Sequence, residues 1–396
     1  MNQRGLWPLV GRAIALDLNS LLPVGLTGAL GVLIVQDLNA PESAGGMLVG
    51  AFFVAGAFFI LLAASAIDRY GWNAAALAGQ ATTAVALLAC AVTPHPWGLL
   101  LIGLSLAGMG SSISQPATSV LLTEHVQPRR RGFAMSAKLA AVPAALLLAG
   151  IAVPALGETV GWRASFAIAA LFPLSGVVLL LRFRPVRTDS VLEGRRDVGE
   201  LRRPRHRALW LAGTGMLLGS MLPGVVLAFM VPSMVDVGLT PGEAGLLFAV
   251  LNVASVLSRA AVAVLADSPL FRGNAAIMAM MTLGGLGAAL VAVPALGTVL
   301  AGAFFAFTMG WGWTGQAFAL ALKTFTESPG GVASVMQSGG MAGSALGPIL
   351  GAAAVHFWGL PAAWVLSASA SVLGGLAFWS LPSPGTVVHR TREELA

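Results

Sequence analysis

Three charged side chains lie inside long apolar stretches of the sequence. Asp17 falls near the start of the first stretch, Lys138 in the early part of the fifth and Arg259 near the end of the eighth. A charge at membrane depth is costly, so such residues are candidates for handling a substrate or a proton. Lys138 and Arg259 have stems long enough to carry their charge to the membrane interface instead. The side chain of Asp17 is too short for that, which makes it the candidate for proton coupling.

Amide and indole side chains form a second set of candidates. Asn19 follows Asp17 closely, Gln115 lies in the fourth stretch, and Trp311, Trp313 and Gln316 lie in the tenth. Rings that stack and amides that orient a ligand suit a binding site for a small organic molecule. With the cations Lys138 and Arg259, they favour an anionic or zwitterionic ligand. The alternative is that the amides bond between helices while the indoles pack between glycines.

The sequence offers little for other chemistry. The single cysteine, Cys90, lies within an apolar stretch, so an intramolecular disulfide or a cysteine-rich metal site is excluded. No metalloprotease, serine-hydrolase or nucleotide-binding signature occurs. Basic residues outnumber acidic ones, 22 to 16, but they fall mainly in short segments between apolar stretches. We therefore predict no enzyme, no cofactor, no metal and no nucleic-acid partner.

The elements that must position these residues are membrane-spanning helices. Of the 396 residues, 57% are hydrophobic and 10% charged, and the mean hydropathy is +0.85. The apolar stretches have the length that crosses a bilayer, where only helices and closed barrels satisfy the backbone. We predict an all-α integral membrane protein with twelve spans, at 13–35, 44–66, 74–93, 97–122, 133–156, 163–182, 208–235, 243–266, 274–293, 296–322, 331–355 and 360–381.

The two halves of the chain repeat each other. Ser20-Leu21-Leu22-Pro23 matches Ser220-Met221-Leu222-Pro223, and Gln115 matches Gln316. A duplication of six spans predicts two pseudo-symmetric six-helix bundles with the substrate path between them. The predicted parts are a bundle over 1–182, a basic linker over 183–207, and a bundle with a short tail over 208–396.

The arginines also predict orientation. Most of them, including those of the linker, fall on one side of the predicted spans. Because cytoplasmic loops carry the excess of basic residues, we expect both termini inside, in a bacterial inner membrane.

Two motifs resemble those of the major facilitator superfamily, over essentially the whole chain. The loop after the second span contains Asp68-Arg69-Tyr70-Gly71, which keeps the D-R-x-G core of the family's G-x-x-x-D-R-x-G-R-[RK] motif but loses its first glycine and the trailing basic residues. The resemblance implies that Asp68, Arg69 and Gly71 form a cytoplasmic gate, in which the aspartate caps the eleventh span. That span carries a helix-packing pattern at Gly343, Gly347, Pro348 and Gly351.

The resemblance implies a secondary transporter that works by alternating access. We expect a monomer in the lipid bilayer that moves a small organic solute, with protons as the coupling ion and a slight preference for an anionic or zwitterionic metabolite. The alternative is a multidrug or lipophilic-compound exporter that works by proton antiport. Leu104 stands where proton-coupled exporters of the family carry an arginine, which weakens that alternative.

Overall fold

A computed structural model describes residues 3–93, 96–182, 207–265, 273–325 and 329–381. Helices account for nearly all of these residues, and no strand occurs among them. Most of the predicted linker, 183–206, and the tail beyond residue 381 lie outside the described residues. The prediction of an all-α membrane protein is confirmed.

Sixteen α-helices and one π-helical turn make up the described chain. They are α1 (Gln3–Ala29), α2 (Gly31–Asp37), α3 (Ala44–Tyr70), α4 (Trp72–Ala91), α5 (Leu99–His125), α6 (Pro128–Lys138), α7 (Ala141–Ala152), the π-turn (Val153–Gly157), α8 (Trp162–Ala169), α9 (Leu171–Arg182), α10 (Arg207–Asp236), α11 (Pro241–Leu265), α12 (Gly273–Val291), α13 (Leu296–Gly312), α14 (Thr314–Thr324), α15 (Pro329–Trp358) and α16 (Leu360–Trp379).

Ten segments of the described chain are long and apolar enough to cross a membrane. Two shorter apolar helices, Ala44–Ile60 and Ala141–Gly157, fall where the second and fifth spans were predicted. Large apolar side chains such as Phe58 and Ile102 remain more than two-thirds exposed, at 69% and 68%. Lipid is the environment that suits them. The chain is therefore a multi-pass membrane protein.

Four predicted spans are interrupted within the described residues, among them the first at Leu30 and the sixth at Ala170. The fifth is divided where α6 ends at Lys138 and α7 begins at Ala141. The tenth is divided at Trp313, between α13 and α14. Interrupted helices free backbone groups at membrane depth, and in transporters they mark the binding region. The interruptions in the fifth and tenth spans lie beside candidate site residues.

By their contacts, the residues form two compact units. The first contains residues up to Gly194 together with Leu227–Asn252, the end of α10 and the first half of α11. Its helices α4 and α5 cross at Gly79 and Gly110, where an added Cβ would lie 2.8 Å from a backbone oxygen of the other helix. Such glycines let helix backbones approach closely. Because α4 and α5 cross so closely, residues of α1, α4 and α5 can form hydrogen bonds with one another.

An ion pair links three segments of the chain at the predicted outer end of the first unit. The guanidinium of Arg163 in α8 donates to the Asp37 carboxylate at the end of α2. The same carboxylate accepts the indole N–H of Trp162, 3.1 Å away, and Arg163 also bonds the carbonyl of Thr93. Three segments of the chain are thereby joined.

The second unit contains Arg195–Val226 and Val253–Ala396. Its helix α12 packs against both α13 and α16, as α4 of the first unit packs against α5 and α9. In this unit α15 approaches α10 so closely that a Cβ at Gly347 would lie 2.8 Å from the Cα of Met221. The ring of Pro348 lies against Gly224 of α10 in the same way. Gly343 and Gly347 are thus at a tight helix crossing, and Gly351 is buried one turn further on.

Candidate functional site

A buried ion pair joins α1 to the junction between α6 and α7. The Lys138 ammonium lies 3.2 Å from the Asp17 carboxylate, and their side chains are only 8% and 6% exposed. The second carboxylate oxygen of Asp17 accepts the Thr118 hydroxyl, 2.6 Å away. Removing either charge from such a pair leaves the other one buried without an opposite charge.

Lys138 is fully engaged by its neighbours in α5. Besides Asp17, its ammonium donates to the carbonyl oxygen of Gln115 at 2.7 Å and to the Ser119 hydroxyl at 2.6 Å. An ammonium has three donor hydrogens, so these three partners use all of them. Lys138 therefore holds the Asp17 region together in this structure, and its role as a substrate ligand stays a prediction.

An amide network that the sequence analysis did not single out supports Asp17. The Asn19 amide donates to the side-chain oxygen of Gln80 and to the carbonyl of Phe172, both at 3.0 Å. Gln80 is completely buried. Its amide nitrogen, which has two hydrogens to donate, lies within hydrogen-bonding distance of three acceptors, namely the Leu16 carbonyl and the hydroxyls of Ser20 and Ser114. Gln80 thereby fixes the turn of α1 that carries Asp17. A glutamine inside an apolar span was the available signal.

Gln115 is also bonded within its own helix. Its amide donates to the Ser111 hydroxyl at 2.7 Å, and its carbonyl accepts from Lys138. Pro116 follows it inside α5 and has no N–H to offer the preceding turn. The Gln115 side chain is thus partnered here, and its contact with a substrate stays a prediction.

A different arrangement surrounds Arg259 in the second unit. Its guanidinium lies over the ring of Trp311, 5.1 Å from the ring centre. The Arg259 Nε and both polar atoms of the Gln316 side chain are buried, and none has a hydrogen-bond partner in the described part of the chain. The hydroxyl of Ser255, one helical turn before Arg259, is in the same state. Unsatisfied buried polar groups are few in native proteins, and a bound ligand is one explanation for them.

The helices that position this group are held by specific contacts. The Ser258 hydroxyl donates to the Thr308 carbonyl at 2.9 Å, which fixes α11 against α13. The chain between Trp311 and Gln316 is interrupted at Trp313, whose indole is completely buried. Its N–H donates to the Gly310 carbonyl at 2.9 Å, and its ring packs 5.9 Å from that of Phe378. Trp313 therefore serves the core in this structure, and a role in substrate binding stays a prediction.

The motif after the second span forms a tight turn between α3 and α4. Gly71 has φ +84°, a conformation that glycine adopts without strain, and its N–H bonds the Ile67 carbonyl at 2.9 Å. Asp68 and Arg69 are exposed, and the Arg69 guanidinium lies 5.3 Å from the centre of the Tyr70 ring. The capping of the eleventh span by Asp68 stays a prediction.

Among the described residues, no group of three or more histidine, cysteine, aspartate or glutamate side chains could hold a metal ion. The polar groups of the two sites are carboxylate, ammonium, guanidinium, amide and hydroxyl. These groups suit hydrogen bonding and proton exchange with a small solute.

Comparisons with known proteins agree with this architecture. A family model described as Major Facilitator Superfamily matches residues 18–336. An uncharacterized MFS-type transporter of Pseudomonas aeruginosa (strain UCBPP-PA14) is 32% identical over 121 residues, which are 31% of this chain and 30% of that protein. The match thus spans less than a third of the relative's length.

Solved transporter structures share the fold at low sequence identity. The crystal structure of the nucleoside transporter NupG has a TM-score of 0.75 at 12% identity, and the match covers 94% of this chain and 99% of that one. The D-xylose-proton symporter has a TM-score of 0.71 at 16% identity, with 95% and 97% covered. At such identities the likeness concerns the fold alone.

Proposed function

The chain belongs to the major facilitator superfamily, and we propose that it is a proton-coupled secondary transporter for a small organic anion or zwitterion. It works by alternating access in a bacterial inner membrane, as a monomer with both termini in the cytoplasm. The observation that carries the substrate class is a set of two unsatisfied polar groups on α11, the Arg259 Nε and the Ser255 hydroxyl one helical turn before it.

The chemistry of that set favours an anion. Leaving a buried hydrogen-bonding group unsatisfied costs about 1–3 kcal/mol, and more for a charged group. A carboxylate placed against the guanidinium edge of Arg259 would satisfy its Nε with a charge-assisted bond. We propose that the unsatisfied Gln316 amide, five residues after Trp311, donates to and accepts from a second polar group of the same solute. Trp311 covers one face of the guanidinium, and the edge of the guanidinium is where a carboxylate bonds it best.

The coupling ion is a proton at Asp17. Among the aspartates of the described chain, Asp17 is the one whose carboxylate is buried against a lysine within a predicted span. Protonation would cancel its attraction to Lys138 and leave the lysine bonded only to α5. The carboxylate thus has two states that differ in how firmly α1 is tied to the α6–α7 junction. Such a difference is what a coupling ion needs to bias a conformational equilibrium.

The test is exchange of radiolabelled solutes in proteoliposomes. A panel of carboxylates, amino acids and lipophilic cations is measured with and without an inward proton gradient. We expect exchange of carboxylates or zwitterions and their accumulation when the gradient is present. Exchange confined to lipophilic cations, with their exit from the vesicles driven by the inward proton gradient, would contradict the proposal and support the multidrug exporter.

Arg259→Gln provides the site-specific arm of the test. It should weaken the apparent affinity for an anionic substrate about tenfold or more, because a hydrogen bond to a charged group contributes about 1.5–3 kcal/mol. The matched control is Arg182→Gln, at the exposed end of α9, which should leave the affinity unchanged. Equal affinities in both variants would remove Arg259 from the site.

A further inference from the structure

A contact between two distant segments lies at the predicted outer ends of the fifth and eighth spans. The carboxylate of Glu158, which follows the π-turn, accepts the backbone N–H of Gly242 at 2.7 Å. Gly242 lies in the first turn of α11. Both residues belong to the first contact unit. A negative charge at a helix N-terminus is stabilised by the free N–H groups and the helix dipole.

The first turn of α11 has one backbone N–H that is left to bond with another segment of the chain. Pro241 has no N–H, and the N–H of Ala244 bonds the Thr240 carbonyl at 2.9 Å. Thr240 and Glu243 cap each other, with the Glu243 carboxylate accepting the Thr240 N–H at 2.9 Å and the Thr240 hydroxyl accepting the Glu243 N–H at 3.2 Å. This reciprocal cap does not use the Gly242 N–H, which donates to Glu158 instead.

The backbone of both helices is shaped for this contact. A Cβ at Gly242 would collide with the Glu158 carboxylate. Further along, a Cβ at Gly150 would lie 2.9 Å from the Ala249 Cβ, and one at Gly245 would lie 2.6 Å from the Val153 Cβ. The two helices therefore touch over about two turns, from Glu158 inward.

The π-turn sets the direction of the Glu158 side chain. The N–H of Glu158 bonds the Val153 carbonyl, five residues earlier, at 3.0 Å. A π-turn contains one residue more than an α-turn, and one residue corresponds to about 100° of rotation around the helix. A regular α-helix would therefore aim the residue at this position about 100° away. Single π-turns within α-helices occur frequently at functional sites.

We propose that Glu158 and the first turn of α11 form an outer latch, which is closed in this structure and opens when the transporter exposes its site to the outer side. The outer latch rests on the proposed alternating-access function. It acts on the opposite end of the spans from the loop that contains Asp68. The latch depends on the Glu158 charge at the N-terminus of α11, so the contact can break while both helices stay intact.

The experiment measures how often the latch opens. In a Cys90→Ala background, Ala249→Cys places a thiol at the interface that Gly150 covers, and its reaction rate with N-ethylmaleimide reports opening. Glu158→Gln keeps the shape of the side chain but removes the charge, and it should raise the labelling rate about three- to tenfold. The control is Glu42→Gln, an exposed outer acid of the same type, which should leave the rate unchanged.

A second variant protects the test against a local folding defect. Gly242→Ala displaces the carboxylate from the other side of the contact and should raise the labelling rate by a similar factor. Parental labelling rates in both variants would overturn the outer latch. Solute exchange is measured in the same proteoliposomes: faster labelling without exchange of any solute would sustain the latch and count against the proposed function, whereas exchange with unchanged labelling would do the reverse.

Discussion

Replacing Lys138 by methionine should destabilise the protein more than replacing Asp17 by asparagine. Without Lys138, a carboxylate that is 6% exposed keeps one hydrogen-bond donor, Thr118. A buried charge deprived of its partner costs about 3–5 kcal/mol. Without the Asp17 charge, Lys138 still donates to Gln115 and Ser119. The cost of Asp17→Asn should therefore be smaller, about 1–3 kcal/mol, the loss of one hydrogen bond to a charged group.

The double variant measures the pair itself. With both charges gone, no uncompensated charge remains, so the combined cost should fall well below the sum of the two single costs. We expect a coupling energy of about 2–3 kcal/mol, at the upper end for residues in contact. Titration of the protein with SDS in mixed micelles gives the free energy of unfolding of all four proteins. Additive costs, or a Lys138→Met cost below about 1 kcal/mol, would refute the reasoning from burial.

Three further outcomes follow from the proposals. Asp17→Asn should abolish accumulation driven by a proton gradient, together with its pH dependence, but leave solute exchange in place. The control is Asp37→Asn, at an exposed, ion-paired aspartate, which should keep accumulation and exchange. Unchanged pH dependence in Asp17→Asn would exclude Asp17 as the proton site. Asp68→Asn should shift the protein towards inward-facing states, seen as changed labelling of the two faces, while its yield is kept. A reporter fused after Ala396 should be active only in the cytoplasm, and a periplasmic signal would reject the predicted topology.

The place of the apolar spans was open to prediction because it depends on hydrophobicity summed over a whole segment. The interruptions after Lys138 and at Trp313 were not predicted, although Pro143 follows the first by about one turn and Gly310, Gly312 and Gly315 surround the second. The π-turn likewise contains a proline, Pro154. Such residues permit a departure from the regular helix, but its place and form also depend on packing against neighbouring helices, which a single sequence does not specify.

Some residues of the candidate site were likewise predictable from the sequence, and others were not. The cost of charge in a membrane was enough to select Asp17, Lys138 and Arg259. It was not enough to select Gln80, because the partner that a polar side chain meets depends on helix rotation and on glycine crossings elsewhere. Trp313 illustrates the converse, since its indole N–H bonds the chain's own Gly310 carbonyl. An unsatisfied group such as Gln316 can be recognised only once its neighbours are in place.

The π-turn also bears on which changes in chain length this segment can absorb. Because Val153–Gly157 holds one residue more than an α-helical turn requires, deleting a residue there would restore a regular helix without breaking it. The fifth span would keep its hydrophobicity and its fold, and the residues after the deletion, including Glu158, would keep their direction around the axis, because the residue removed is the one that the π-turn accommodates. A deletion in a regular stretch of the same span would instead turn everything after it by about 100°. The segment is therefore a place where this span can lose one residue and keep Glu158 opposite the first turn of α11.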